Sequence, residues 1–280
     1  MLHDVLIALR GLRARPGFTA AAVSTLALGI GASTAIFSAA YGVAFRPLPY
    51  PEADRLIRIY EANPAEGLTR HDVSMAAFEA WRGGAASIES AALVGYPRSR
   101  AITGLGSAAL VVQAVSPNFF DVLGVEPLLG PGFKAENDYT VWTAHEEGVI
   151  SYEAWHRMFG GQTNVIGQRV TLKGYGDDDA FRVVGVMPAG FQFEQPVDVW
   201  QPTQLLPVPM RAAYLSYRSE RAVARFRTGR SVDDARAEVA AIAERLAREF
   251  PARSAGWSAD AVSLREATIA LRSSTTRMTG

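Results

Sequence analysis

Cysteine is absent from this chain of 280 residues, and neither sign of charge is in excess. Without cysteine the protein has no disulfides, no thiolate nucleophile and no cysteine-ligated zinc, so any folded domain depends on its hydrophobic core alone. The 28 basic residues equal the 28 acidic residues in number. Because nucleic-acid binding requires a basic surplus on some face, this composition predicts no nucleic-acid partner.

The sequence also lacks the motifs of common catalytic sites. It contains no GxxxxGK[ST] phosphate-binding loop and no GxSxG nucleophile motif. The glycine pairs Gly29/Gly31 and Gly104/Gly106 have neither the third glycine nor the strand-turn-helix setting of a dinucleotide site. We therefore predict that the chain is not an enzyme, that it has no catalytic or cofactor-binding residues, and that it needs no cofactor.

Candidate metal ligands are few and scattered. The run His145-Glu146-Glu147 has no second histidine at the spacing of a zinc-binding helix. An aspartate run at residues 177–179 could attract calcium, but it lacks the glycine and glutamate that complete an EF-hand loop. We predict no metal site, a solvated turn at this run, and solvated or capping roles for the histidines, which are His3, His71, His145 and His156.

One long apolar run lies near the N-terminus. Residues 18–45 are 28 consecutive residues without a charge, and about 20 helical residues cross a bilayer core of about 30 Å. This run predicts a transmembrane helix. A cleaved signal peptide is the alternative, but its apolar region is only about 7–15 residues long. The small residues Ala27, Gly31 and Ala35 recur at four-residue spacing, which favours packing against another transmembrane helix.

The charges before this run indicate its orientation. Arg10, Arg13 and Arg15 precede it, so the positive-inside rule places the N-terminus in the cytoplasm and the residues after the run outside. Residues 1–17 carry leucine and valine at helical spacing. We interpret them as a short amphipathic segment on the cytoplasmic surface of the membrane, in contact with lipid.

The rest of the chain predicts a mixed α+β domain that contains two β-α-β units. Prolines at positions 47, 49 and 51 make a stiff connector. The first unit comprises a strand over 56–60, a helix capped by Ser74 that runs to about Arg82, and a strand over 88–94. The second comprises a strand over 221–226, a helix opened by a Ser231/Asp234 capping box, and a strand over 257–264. The apolar stripe predicted for the second helix comprises Val232, Ala235, Val239, Ile242, Leu246 and Phe250, with Pro251 ending it.

A β-rich stretch separates the two units. It predicts a strand over 109–115 and a short helix that Ser116-Pro117 caps and Gly124 ends. A second short helix begins at Ser151, and residues 169–172 and 181–186 form a hairpin. Residues 188–201 carry Phe191, Phe193 and Trp200, which we expect to cover the sheet.

Several short motifs occur along the chain in a fixed order. They are PGFTA at 16–20, LALGIGASTAIFS at 26–38, RPLPYP at 46–51, NFFDVLGV at 118–125, VIGQ at 165–168 and VVGVMP at 183–188. In this order and spacing they resemble MacB-type ABC transporter permeases. The resemblance implies a first transmembrane helix, a periplasmic core domain over 46–266, and a bacterial inner-membrane location. Within that domain it implies a porter-like part, residues 52–95 and 219–266, and a β-rich insert, residues 96–218.

The resemblance also implies a function. Permeases of this family couple a separate cytoplasmic ATPase to a periplasmic domain, for export or extraction of amphiphilic substrates. The expected partners are an ABC ATP-binding subunit and either other permease helices or a second copy of the chain. Residues 267–280 form a C-terminal tail without a second apolar span, so we expect a truncated or split permease that lacks the FtsX-like helices. The alternative is a self-sufficient, membrane-anchored periplasmic binding or adaptor module.

Overall fold

The structure is a computed structural model of the chain. It describes residues 14–44, 48–102, 109–134, 146–173, 179–202 and 217–278. The chain divides into two units, one comprising residues 1–47 and 272–280 and the other comprising residues 48–271. Of the amphipathic segment predicted for residues 1–17, residues 1–13 lie outside the described residues.

A long apolar helix, α1 (Pro16–Ala44), dominates the first unit. It begins at a proline, whose fixed φ suits the first position of a helix. Its segment Pro16–Thr34 has a mean hydropathy of 1.3. Among the described residues, α1 is the one helix that is long and apolar enough to cross a membrane. Large side chains such as Phe18, Leu26 and Leu28 are exposed along it. The predicted apolar helix over 18–45 is therefore confirmed to within two residues at each end.

The second unit contains all the described strands. These are β1 (Leu56–Asn63), β2 (Leu68–His71), β3 (Val73–Ser74), β4 (Ile88–Val94), β5 (Arg98–Ala101), β6 (Ala109–Val115), β7 (Glu147–Ile150), β8 (Arg169–Leu172), β9 (Asp179–Val186), β10 (Val199–Pro202), β11 (Arg218–Phe226) and β12 (Ser258–Ser263). The helices after α1 are α2 (Met75–Gly84), α3 (Phe119–Leu123), α4 (Tyr152–Phe159), α5 (Val232–Glu249), α6 (Pro251–Ser254) and α7 (Leu264–Met278).

The two predicted β-α-β units are present, and they interleave. The strand order is β12-β1-β11-β4, and each neighbouring pair is antiparallel. Strand β11 therefore lies between the two strands of the first unit, and β1 lies between the two strands of the second, which is a split β-α-β arrangement. Helices α2 and α5 pack together on one face, where they bury Phe78, Trp81 and Val239 against Ile57 and Ile59.

Hydrogen bonds at the helix starts match the predicted caps. Ser74 Oγ accepts from the Ala77 amide at 3.3 Å, and Ser231 Oγ accepts from the Asp234 amide at 3.1 Å. The Asp234 carboxylate accepts from the Ser231 amide in return, which completes the capping box. The predicted apolar stripe is wrong at one end, since Phe250 is 50% exposed. Pro251 ends α5 as predicted and also begins α6.

The β-rich stretch forms a sheet that closes on itself. Its strands pair in the order β5-β6-β10-β7-β9-β8. A bridge between Ile102 and Leu172, together with a 2.8 Å hydrogen bond from the Lys173 amide to the Ala101 carbonyl, joins the last strand back to the first. Such closure removes the exposed edges of a sheet. One pairing, Val94 with Val115, connects this small barrel to the split β-α-β sheet.

An aromatic core lies on the sheet face opposite α2 and α5. It includes Leu56 and Val223 from the sheet and the aromatic residues Tyr50, Phe119, Phe120, Phe133, Phe191, Phe193 and Trp200. Burial of the three aromatic residues predicted at 188–201 is thus confirmed. The predicted cap of α3 is wrong, because Asn118 directly precedes the helix and Ser116 Oγ accepts from the Leu93 amide at 2.8 Å. Ser116 is bound by a neighbouring strand that local sequence does not reveal.

The segment after β12 is helical. Helix α7 runs to Met278, through most of the stretch 267–280 that the sequence analysis treated as a tail. Its first turn buries Leu264 and Ala267. Burial of these apolar residues anchors the start of the helix in the second unit.

Strand β7 has no room for a side chain at Gly148. A Cβ atom there would lie 2.4 Å from Cδ2 of Phe181, whose ring is fully buried in the barrel. We expect Gly148→Ala to lower the free energy of unfolding by about 1–3 kcal/mol because the barrel core would be overpacked. Thermal denaturation of the detergent-solubilised protein would measure this loss.

Gly83→Ala is the matched control. Gly83 lies in α2, and a Cβ there would meet nothing within 4 Å. The same substitution should therefore stabilise the protein by about 0.5–1 kcal/mol through helix propensity. Equal melting temperatures for Gly148→Ala and the unmodified protein would contradict the packing described for the barrel.

Candidate functional site

A buried cluster of charged side chains lies where the barrel meets the split sheet. Glu194, in the loop between β9 and β10, accepts hydrogen bonds from Arg58 of β1 and Arg221 of β11, one on each carboxylate oxygen. The side chains are 4–7% exposed. Arg221 also donates to the Gly95 carbonyl. We call Arg58, Glu194 and Arg221 the arginine cluster.

Strand alternation places the two arginines on the same sheet face as the aromatic core. Arg58 lies two residues after the core residue Leu56, and Arg221 lies two residues before the core residue Val223. Glu194 reaches them from a left-handed backbone conformation, with φ of 60°. A residue other than glycine held in that region costs about 1–3 kcal/mol, which surrounding interactions must offset. The two ion pairs of Glu194 are among the contacts that hold its backbone in this conformation.

Burial sets the electrostatics of the cluster. Removal from water lowers the pKa of Arg221, and the Glu194 carboxylate opposes that shift. Two guanidinium groups taken out of water are tolerated because a carboxylate and a carbonyl accept from their Nη groups, although Nε of each is buried without a hydrogen bond in the described residues. The arrangement therefore holds two strands and a loop together by charge.

Titratable groups also line the edge of the cluster. The Tyr96 hydroxyl donates to Asp72 Oδ1 at 3.0 Å, and the Arg221 guanidinium lies over the Tyr96 ring at 4.6 Å from its centroid. Glu220 lies nearby on β11, with its Oε2 atom buried and without a hydrogen bond in the described residues. Burial, and then the neighbouring Asp72 charge, raise the pKa of Glu220.

A second buried ion pair lies on the other face of the sheet. Arg218 of β11 donates to Glu61 of β1 at 3.0 Å, and its guanidinium stacks on the Trp257 ring at 3.6 Å.

Arg218 also lines a cleft of about 270 Å³ between α2, α5 and α6, together with Leu246 and the exposed ring of Phe250. Another cleft, of about 340 Å³, lies on the barrel beside Lys134, Glu147 and Arg182.

Most residues weighed as metal ligands or phosphate binders do not come together. His71 packs against Trp257 with ring centroids 5.6 Å apart, and the exposed His156 packs against Tyr152 at 4.5 Å. No group of three or more histidine or acidic side chains in the described residues could hold a metal. Gly29 and Gly31 lie within α1. Outside the described residues lie His3, Gly104, Gly106, His145, Asp177 and Asp178.

The sequence analysis missed the arginine cluster. A signal for it exists, because Arg58 interrupts the apolar strand Leu56–Ile59, and Arg221 directly precedes the buried apolar residues 222–224 of β11. A charged residue inside a strand buried on both faces must find a partner. Local sequence does not identify the partner, since Glu194 is 136 positions from Arg58 and 27 from Arg221.

Glu194→Gln tests the cluster. The amide cannot neutralise either guanidinium, so two buried cations would lose their counter-ion, and we expect stability to fall by about 3–5 kcal/mol. Glu244→Gln on α5 is the control, because Glu244 forms an exposed pair with Arg248 at 3.9 Å. Its loss should be below about 0.5 kcal/mol by chemical denaturation. Similar losses for both variants would show that the cluster contributes no more than a surface pair.

Glu220→Gln gives a pH-dependent prediction. Because the pKa of Glu220 is raised above its ordinary value of 4.5, the folded protein holds this proton more tightly than the unfolded chain. The free energy of unfolding then falls as pH rises through the pKa that Glu220 has in the folded protein, and it stays lower at neutral pH. We expect Glu220→Gln to melt at a higher temperature than the unmodified protein at pH 7, with the difference vanishing near pH 4. A difference independent of pH would contradict this.

Three solved structures share the fold of about three-quarters of this chain. A domain of a protein assigned as a permease from Porphyromonas gingivalis aligns with TM-score 0.54 and 17% identity, over 76% of this chain and 92% of that chain. The extracellular domain of the noncanonic ABC-type transporter YknZ from Gram-positive bacteria gives 0.50 and 15%, over 73% and 98%. The periplasmic region of MacB from Actinobacillus actinomycetemcomitans gives 0.51 and 12%, over 79% and 94%.

At these identities the structural similarity shows the fold alone, and no curated protein matches the chain. The family comparison goes further. Residues 19–242, which include most of α1 and extend from β1 into α5, match the MacB-like periplasmic core domain. This match confirms the resemblance that the sequence motifs indicated. The chain therefore belongs to the MacB-like periplasmic core domain family, the periplasmic part of ABC-type transporter permeases.

Proposed function

We propose that this protein is a non-catalytic, permease-type subunit of an ABC transporter. The observation that carries the proposal is the family match over residues 19–242, which spans both the apolar helix and the folded domain. In this proposal residues 18–45 cross the bacterial inner membrane once, with the N-terminus in the cytoplasm. Residues 46–266 lie in the periplasm, with the porter-like part over 52–95 and 219–266 and the insert over 96–218.

The proposed role is mechanical. A cytoplasmic ATP-binding subunit hydrolyses ATP, and the permease passes the resulting movement to the periplasmic domain for export or extraction of an amphiphilic substrate. The position of the domain's two ends supports this role. Ile57 pairs with Ser263 across β1 and β12, so the start of β1 lies beside the point where α7 begins. A movement applied at that end reaches two adjacent strands at once.

The surface of α1 supports the expected helix partners. A Cβ atom at Gly29 or Gly31 would meet none of the described residues within 4 Å, so the helix surface there is open to them. Small residues at four-residue spacing allow close approach of a second helix in lipid. Such a partner would be another permease helix or a second copy of this chain.

A membrane-anchored binding or adaptor module is the second candidate function. The observation that favours it is the cleft of about 270 Å³ between α2, α5 and α6, where an exposed phenylalanine and two arginines line the opening. Apolar surface beside a few polar groups is typical of ligand sites. Such a module would act without an ATP-binding subunit.

Purification from membranes separates the two candidates. We expect the tagged chain, extracted in mild detergent, to bring with it a protein that carries a GxxxxGK[ST] loop, identified by mass spectrometry. The chain purified away from that protein should hydrolyse no ATP. ATP hydrolysis by the chain alone, or recovery of the chain with no ATP-binding protein, would count against the transporter proposal.

Gly31→Leu and Gly29→Leu refine the experiment. Both glycines have open space around them, so neither substitution should unfold this chain. Gly31 lies on the small-residue stripe with Ala27 and Ala35, whereas Gly29 lies on another face of the helix. We expect Gly31→Leu to reduce recovery of partner helices more than Gly29→Leu does. Equal recovery would exclude the stripe as the packing surface.

A further inference from the structure

The connector that enters the folded domain, residues 48–52, is bound tightly to it. The Tyr50 ring is buried beside Phe191 and Phe193, with centroids 6.4 and 6.5 Å away. Its hydroxyl donates to the Gln192 carbonyl at 2.6 Å. The connector is therefore part of the aromatic core and not a free linker.

A buried arginine binds the same connector from the central strand β11. Arg225 is 6% exposed, and in the described part of the chain its hydrogen bonds all go to backbone carbonyls. Its Nη2 atom donates to Pro51 at 3.1 Å, Nη1 to Glu52 at 3.4 Å, and Nε to Val122 of α3 at 2.9 Å. One guanidinium thus joins the connector, a short helix and the central strand.

The backbone around this guanidinium has little freedom. Glu52 adopts a left-handed conformation with φ of 47°, and its side chain accepts from Arg55 at 2.7 Å. At the end of α3, a Cβ on Gly124 would lie 3.2 Å from Arg225 Nη2 and 3.5 Å from Pro51 Cβ, at φ of +72°. A strained residue kept in place by its surroundings often marks a position with a role in function.

We propose that Arg225 is the positioning residue that makes the connector, the end of α3 and strand β11 move as one unit. A displacement of the chain arriving at Leu48 is then delivered to the central strand of the sheet through the guanidinium. The functional meaning of this coupling rests on the transporter role proposed above. The coupling itself is a property of the isolated chain.

The geometry requires arginine and not merely a positive charge. The guanidinium holds its N–H groups in a rigid planar fork that reaches separate carbonyls, whereas lysine presents a single ammonium on a flexible stem. Arg225→Lys keeps the charge and loses the fork. Arg227→Lys is the matched control, because Arg227 follows the end of the same strand, is exposed, and its Nε donates to one carbonyl, that of Ala86, at 3.1 Å.

Hydrogen–deuterium exchange of the full chain in detergent measures the coupling. In Arg225→Lys we expect amides of the connector turn and of the α3 end to exchange about tenfold faster, as loss of one buried hydrogen bond predicts. The reporters are the amides of Arg55 and Gly124, which donate to Glu52 at 2.9 Å and to Asp121 at 3.0 Å. Exchange in β4 and α5 should stay unchanged, as should exchange everywhere in Arg227→Lys.

Gly124→Ala approaches the same contact from the opposite side, since its methyl group would press on Arg225 and Pro51. It should loosen the same two segments. Unchanged exchange of the connector in Arg225→Lys would overturn the proposal, as would a uniform increase across the domain, which would indicate only a general loss of stability. Failure to recover an ATP-binding protein would overturn the transporter role and leave this exchange pattern in place, so the two failures are distinguishable.

Discussion

A guanidinium group removed from water must find acceptors for its N–H groups, and this constraint organises the second unit around strand β11. One face of β11 carries Arg221 and Arg225 on either side of the core residue Val223. Arg221 donates to Glu194 in a loop from the barrel and to the Gly95 carbonyl after β4, and Arg225 donates to carbonyls of the connector and of α3. Elements from distant parts of the chain are thus bound to one strand by charged hydrogen bonds, which are stronger than neutral ones.

The same interactions are compatible with the mechanical role proposed above. The most buried charged groups pair with one another, and no group of three or more histidine or acidic side chains in the described residues could hold a metal. Buried ion pairs add little net stability relative to an apolar core, but they specify which segments meet. In the transporter role proposed above, a small displacement has to reach a particular strand, and such specificity serves that role better than added stability does.

Close backbone packing complements these charges. In the barrel, Gly148 lies against the Phe181 ring. A Cβ atom built at Gly130 would lie 2.4 Å from the carbonyl oxygen of Val184. Side chains at these positions would push the strands apart. The bridge between Ile102 and Leu172 joins the last strand of the barrel to its first. In the described residues β6 meets β4 at the pair of Val94 with Val115, and the charged contacts and the aromatic core attach the barrel to the split sheet as well.

The sequence by itself determined the local features: the apolar helix, the Ser74 and Ser231 caps, the β-α-β order, and the burial of Phe191, Phe193 and Trp200. These follow from hydrophobic period, capping chemistry and turn residues, which act over a few positions. Only the tertiary structure decided that β11 and β1 interleave, that the barrel closes, that Ser116 binds a strand instead of capping α3, and that Glu194 pairs with Arg58 and Arg221. These depend on contacts between residues far apart in the chain, and no local pattern encodes which distant partner a buried polar group will meet.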